Sequence, residues 1–109
     1  MSLADRLAAE RRGAALRLLR EDAQYRLPET SLRRTLDFYG YPAWADVVRA
    51  DLLYLEGHGL ARVERVPTGA RGEDLWVAVL TPAGLEVAQG RPHPGVARPE
   101  PGAVPPAGG

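Results

Sequence analysis

The sequence predicts a small α+β domain built from three helices, a two-stranded hairpin, a fourth helix and a proline-rich tail. Three observations carry this expectation. Apolar residues recur at helical spacing through the first half of the chain. The period then changes to the shorter alternation of strands over residues 60–66, followed by the apolar run Leu75-Trp76-Val77-Ala78-Val79-Leu80. Six of the ten prolines fall in the last nineteen residues, a stretch unable to form a helix interior or a ladder. The expected folded body is residues 1–90, and residues 91–109 are expected to be an extended or disordered Pro/Gly-rich tail.

The first helix is expected over residues 2–21. Ser2 can cap it, and Asp5 falls in the first turn, where the helix dipole favours a carboxylate. Leu7, Ala14, Ala15 and Leu18, with Leu16 and Leu19, give helical spacing, and Gly13 marks a bend or a close packing site. Residues 24–29 read as a connector. A second helix is expected over residues 31–39, capped by Thr30 or Ser31. It would turn Leu32, Thr35, Leu36 and Tyr39 to one face and Arg33, Arg34 and Asp37 to solvent. Gly40 supplies its stop. Tyr41-Pro42 opens a third helix, with the proline in the first turn. Its stripe is Trp44, Val48, Leu52 and Leu55, and Glu56-Gly57-His58-Gly59 ends it, with His58 exposed or capping. Residues 60–66 and 75–80 form the hairpin around the turn-rich residues 67–74. Thr81 caps the fourth helix, Pro82 takes its first position, and Gln89-Gly90 closes it.

A short link between the second and third helices is a helix-turn-helix signature. A hairpin directly after the third helix makes a wing, so the expected architecture is a winged helix-turn-helix. There is no cysteine, which rules out disulfides and thiolate metal sites. The two histidines are far apart in sequence, and no metal-ligand spacing occurs. No Gly-x-Ser-x-Gly, Walker or Gly-x-Gly-x-x-Gly motif is present, so neither an enzyme nor a cofactor is expected. The start of the chain is amphipathic and charged, unlike a signal peptide or membrane span. A cytoplasmic protein without membrane contact is expected.

The net charge is zero, and all fourteen basic residues are arginine. The charge is nevertheless polarised. Residues 1–20 carry +3, residues 41–60 carry −2, and residues 61–74 balance.

Two pieces resemble winged-helix regulators of the multiple-antibiotic-resistance and arsenic-repressor kind. One is Leu52-Leu53-Tyr54-Leu55-Glu56-Gly57-His58-Gly59-Leu60, and the other is Val79-Leu80-Thr81-Pro82-Ala83-Gly84-Leu85-Glu86-Val87. A broader match resembles a family of small winged-helix proteins of Mu-like transposable bacteriophages and prophages. It is carried by Leu16-Arg17-Leu18-Leu19, by Val48-Arg49-Ala50-Asp51-Leu52-Leu53-Tyr54-Leu55 with Gly59-Leu60, and by Trp76-Val77-Ala78-Val79-Leu80-Thr81. Val87-Ala88-Gln89-Gly90-Arg91 and His93-Pro94-Gly95-Val96-Ala97-Arg98-Pro99 complete it. Trp44 departs from this pattern, which has a small polar residue at the start of the third helix. The resemblance implies a winged-helix fold, a DNA-binding role in a bacterial host, and no enzymatic activity.

Two functions follow as expectations. In the first, the chain regulates transcription by binding duplex DNA, with the third helix in the major groove. Arg49 would fork to guanine, and Asp46 would accept from cytosine N4 or orient Arg49. Arg33 and Arg34 would touch phosphate, while Arg62, Arg65 and Arg71 on the wing would reach the backbone or minor groove. A homodimer through the first and last helices would match two half-sites. In the second, the chain is an adaptor that binds a phage protein without DNA, through Trp44, Leu53, Tyr54 and the tail. The acids flanking Arg49 favour this second reading.

Overall fold

A computed structural model describes residues 1–69 and 71–99. It is an α+β domain of four helices and a three-stranded antiparallel sheet. Helix α1, Leu3–Glu21, opens on a full capping box. The Asp5 N–H donates to Ser2 Oγ at 3.0 Å, and the Ser2 N–H donates to the Asp5 carboxylate at 3.3 Å. Its second half buries Ala14, Ala15, Leu16, Leu18 and Leu19, whereas residues 1–7 are exposed.

The connector after α1 holds a strand that the sequence reading missed. The Asp22 carboxylate accepts the N–H groups of Gln24 and Arg26 at 2.9 and 3.2 Å, turning the chain. Strand β1, Arg26–Pro28, then pairs antiparallel with the second hairpin strand, Arg26 opposite Val79 and Pro28 opposite Val77. Three residues are too few to display an alternation, and the edge position tolerates Pro28.

Helix α2, Glu29–Phe38, starts two residues before the expected Ser31 and has no side-chain cap. Gly40, at φ 87°, stops it where expected. Helix α3, Ala45–Gly57, starts later than expected. Pro42 disfavours helical geometry at Tyr41, and residues 41–44 run as a non-helical link whose Tyr41 and Ala43 rest on the core. Val48, Leu52 and Leu55 are buried as expected. Trp44 is not part of that stripe. It is the N-cap, in extended conformation, and its side chain is 75% exposed. His58 is the exposed C-cap.

The hairpin follows directly. Strand β2, Ala61–Pro67, pairs with β3, Asp74–Leu80, in register from Ala61–Leu80 to Pro67–Asp74. Strand β3 lies between β1 and β2, so both its edges are paired, which suits its apolar run. Helix α4, Pro82–Ala88, is capped by Thr81, whose Oγ accepts the Gly84 N–H at 3.0 Å.

The ordered body does not stop at the expected boundary, residue 90. Residues 91–99 fold back onto α1 and α3. Val96 is 6% exposed and belongs to the core cluster. The Ala97 N–H donates to the Ala9 carbonyl at 2.9 Å. A Cβ at Gly13 would lie 2.5 Å from the Ala97 oxygen, so α1 needs a glycine there. The rest of the expected tail, 100–109, lies outside the described residues. No helix among the described residues is long and apolar enough to cross a membrane.

Candidate interaction face

Arginines on α1 are taken up first. Asp51 on α3 is 4% exposed and accepts from two guanidinium groups. Arg11 forks onto it through Nε and through Nη2, the latter at 3.1 Å, and Arg12 Nε reaches it at 3.2 Å. Arg12 also donates to the Gly95 carbonyl at 3.1 Å, and its guanidinium carbon lies 3.8 Å from the Tyr54 ring centroid. Burial pushes the Arg17 guanidinium below its ordinary pKa, offset in part by Tyr41. Much of the positive charge of residues 1–20 is therefore internal.

Arg49, expected to read a base, is a cross-brace. Its Nε and Nη2 donate to the two Glu29 oxygens at 2.7 Å each, and Nη2 also donates to the Asp74 carbonyl at 2.9 Å. Glu29 accepts the Trp76 N–H as well, at 2.6 Å. One bidentate pair thus ties α2, α3 and β3 together. The Arg49 hydrogen bonds hold the Glu29 carboxyl below the usual carboxylate range, against the opposing effect of burial. The same bonds raise Arg49.

Arg65 is engaged in the same way. It donates to Glu56 at 3.3 Å, and Glu56 also accepts the Val63 N–H at 3.1 Å. The Arg65 bond lowers Glu56 below the ordinary carboxylate value. Both guanidinium groups lie over the Trp76 ring, Arg49 at 4.3 Å and Arg65 at 4.6 Å from its centroid. Arg62 makes a looser pair with Glu64 at 3.4 Å. Asp46 does not orient Arg49; its carboxylate accepts the Val47 N–H at 3.0 Å.

The remaining expected residues diverge. Arg33 is exposed, and among the described residues only its Nε is engaged, on the Ala43 carbonyl at 3.0 Å. Arg34 and Arg71 are exposed and have no ion pair or hydrogen bond among the described residues. Leu53 is exposed as expected, and with Asp46 and Ala50 it forms the outward stripe of α3. Tyr54 is half-buried. Its hydroxyl donates to the Pro94 carbonyl at 3.0 Å and its ring stacks on His58 at 4.3 Å, so it holds the C-terminal segment and presents little surface to a partner.

Two residues escaped the sequence reading. Glu29 lay in what read as a connector, twenty positions before its partner Arg49. Phe38 is 81% exposed at the end of α2. Its place opposite Leu32 and Leu36 on the helical wheel was the signal available.

No protein-family model matches the chain, and no solved structure matches it. An uncharacterized protein of Haemophilus influenzae is 36% identical over 69 residues, covering 63% of this chain and 67% of that protein.

Proposed function

We propose that this chain, which belongs to one family with the Haemophilus influenzae protein, is a winged-helix DNA-binding protein with a regulatory role, of phage or prophage origin. The element order supports the winged-helix reading: α3 follows α2 after a short link, and β2 and β3 follow α3 directly. The observation that carries the DNA reading is the pair of cations flanking α3 in the chain, Arg34 on α2 and Arg71 between β2 and β3, whose side chains have no acceptor among the described residues. With Arg33, they offer three guanidinium groups for phosphate contacts. Arg49 and Arg65 act as braces between elements. Binding of this kind is dominated by the backbone and reads sequence weakly.

Fluorescence anisotropy with a mixed-sequence duplex tests this. Three phosphate contacts give a log–log salt slope of about −3. Arg34→Ala and Arg71→Ala each reduce that slope by about 1. Absence of duplex binding at low salt ends the DNA reading.

The adaptor reading has its own observation. The outward stripe of α3, Asp46, Ala50 and Leu53, presents no cation to a groove and one apolar side chain to a protein. If the duplex experiment fails and Leu53→Asp abolishes capture of a co-expressed phage protein, the adaptor reading replaces the first. A homodimer through the exposed Leu3 and Leu7 of α1 accompanies either reading. Sedimentation showing only monomer at high concentration removes it.

A further inference from the structure

We propose that the outer face of α2 is a track for unpaired nucleotides, with Trp44 and Phe38 as stacking platforms and Arg33 and Arg34 as phosphate ligands between them. The inference deepens the DNA reading above and rests on it for its class of ligand, sharing Arg33 and Arg34 with it and adding the two aromatic rings.

Phe38 and Trp44 are the two most exposed aromatic side chains described, at 81% and 75%. Leaving both rings in water forgoes the burial that makes aromatic residues stabilising. Each ring stands at a helix end. Phe38 closes α2 and makes a T-shaped pair with Tyr39, centroids 5.1 Å apart. Trp44 is fixed at the N-cap of α3, and the link before it is braced by the bond from Arg33 Nε to the Ala43 carbonyl.

Two clefts lie along this face. One, of about 700 Å³, is lined by Trp44, Arg33 and Thr30 among others. The second, of about 690 Å³, is lined by Phe38, Tyr39 and Ser31 among others. Arg34 and Asp37 line both, so the clefts meet on the ridge those two residues form, one turn apart on α2. The track reads aromatic, cation, cation, aromatic, with one carboxylate against two guanidinium groups. The Nη donors of Arg33 and the whole Arg34 guanidinium have no acceptor among the described residues, and an anion would supply it.

A flat aromatic group joined to an anion matches this arrangement, and a nucleotide is such a group. Bases held in a duplex keep their faces stacked on one another and cannot lie on Trp44 or Phe38. A single strand can splay its bases onto aromatic rings while its phosphates follow a positive groove. The shared chemistry fits a free mononucleotide or a nucleotide within a strand. Two platforms with cations between them favour the strand, because only a strand engages both rings at once.

The test uses the full chain in three anisotropy titrations at low salt: a labelled single strand of about twelve nucleotides, the same sequence as duplex, and free dAMP as competitor. The expected result is single-strand binding that quenches tryptophan emission. Trp44→Leu and Phe38→Leu should each weaken it about tenfold and leave duplex binding unchanged. Both positions are on the surface, so circular dichroism should show the fold intact. Competition by dAMP at concentrations comparable with the strand would identify a mononucleotide site and overturn the strand assignment. Duplex binding without single-strand binding would overturn the track alone. Single-strand binding unaltered in the Trp44→Leu/Phe38→Leu double variant would also overturn it. Single-strand binding lost in those variants, with no duplex binding at all, would support the track and remove the duplex reading.

Discussion

Arg49 on α3 and Arg34 on α2 share a residue type and little else. Arg49 is held at both ends of its fork by Glu29, rests on Trp76 and donates to the Asp74 carbonyl. Arg34 stands in solvent without an acceptor among the described residues. The difference comes from which face of the helix each residue occupies and what meets it there. A guanidinium between two helices and a hairpin meets a carboxylate that takes both arms of its fork, and it becomes architecture. One on an outer ridge keeps its donors for a ligand. The chain's zero net charge therefore describes neither region, since Glu29 is taken up by Arg49 while Arg34 meets no acid among the described residues.

Removing an internal partner should have the largest effect. Asp51→Ala leaves Arg11 and Arg12 facing each other at a buried position, and denaturant unfolding should show a loss of about 3–5 kcal/mol. An equal loss for the Arg34→Ala variant would break the comparison. Glu29→Ala is next. It frees Arg49 and leaves the Trp76 N–H without an acceptor, for a loss of about 2–3 kcal/mol in the same measurement.

Acid should erode the same interactions. Glu29 and Glu56 are both held below their ordinary value of 4.5 by arginine. A lowered folded-state pKa stabilises the fold above the unfolded pKa, and that contribution disappears as pH falls through the folded pKa. The unfolding midpoint should hold steady above about pH 5 and drop below about pH 4.5. Glu29→Gln should flatten that descent. The smallest expected change in stability is at Arg34→Ala and Arg71→Ala, within about 0.5 kcal/mol, while duplex affinity falls. Wild-type affinity in both variants would leave the unengaged arginines without a role.

Much of the backbone was legible in the sequence. The Ser2–Asp5 box, the Val48, Leu52 and Leu55 stripe, the hairpin and the Thr81-Pro82 start each depend on residues within a turn or strand of one another, so local spacing reveals them. What escaped depends on distant encounters. Strand β1 is defined by pairing with residues fifty positions later. The Arg49 fork was judged from the acids beside it, and its partner sits on another helix. Trp44 fits the stripe by counting, but Pro42 delays the helix and leaves the ring outside. Residues 91–99 read as tail because proline dominated their composition. Val96, the bare backbone at Gly13, and hydrogen bonds from Arg12 and Tyr54 on distant helices seat them.

That seating has a consequence for how the chain is made. The backbone of α1 at Ala9 and Gly13 meets Ala97, so the loop closed by this contact spans almost the whole described chain. During vectorial synthesis, this side of α1 stays incompletely covered until residue 97 has left the ribosome. Residues 96 and 97 therefore close α1 late, because only a chain translated through residue 97 can make this contact.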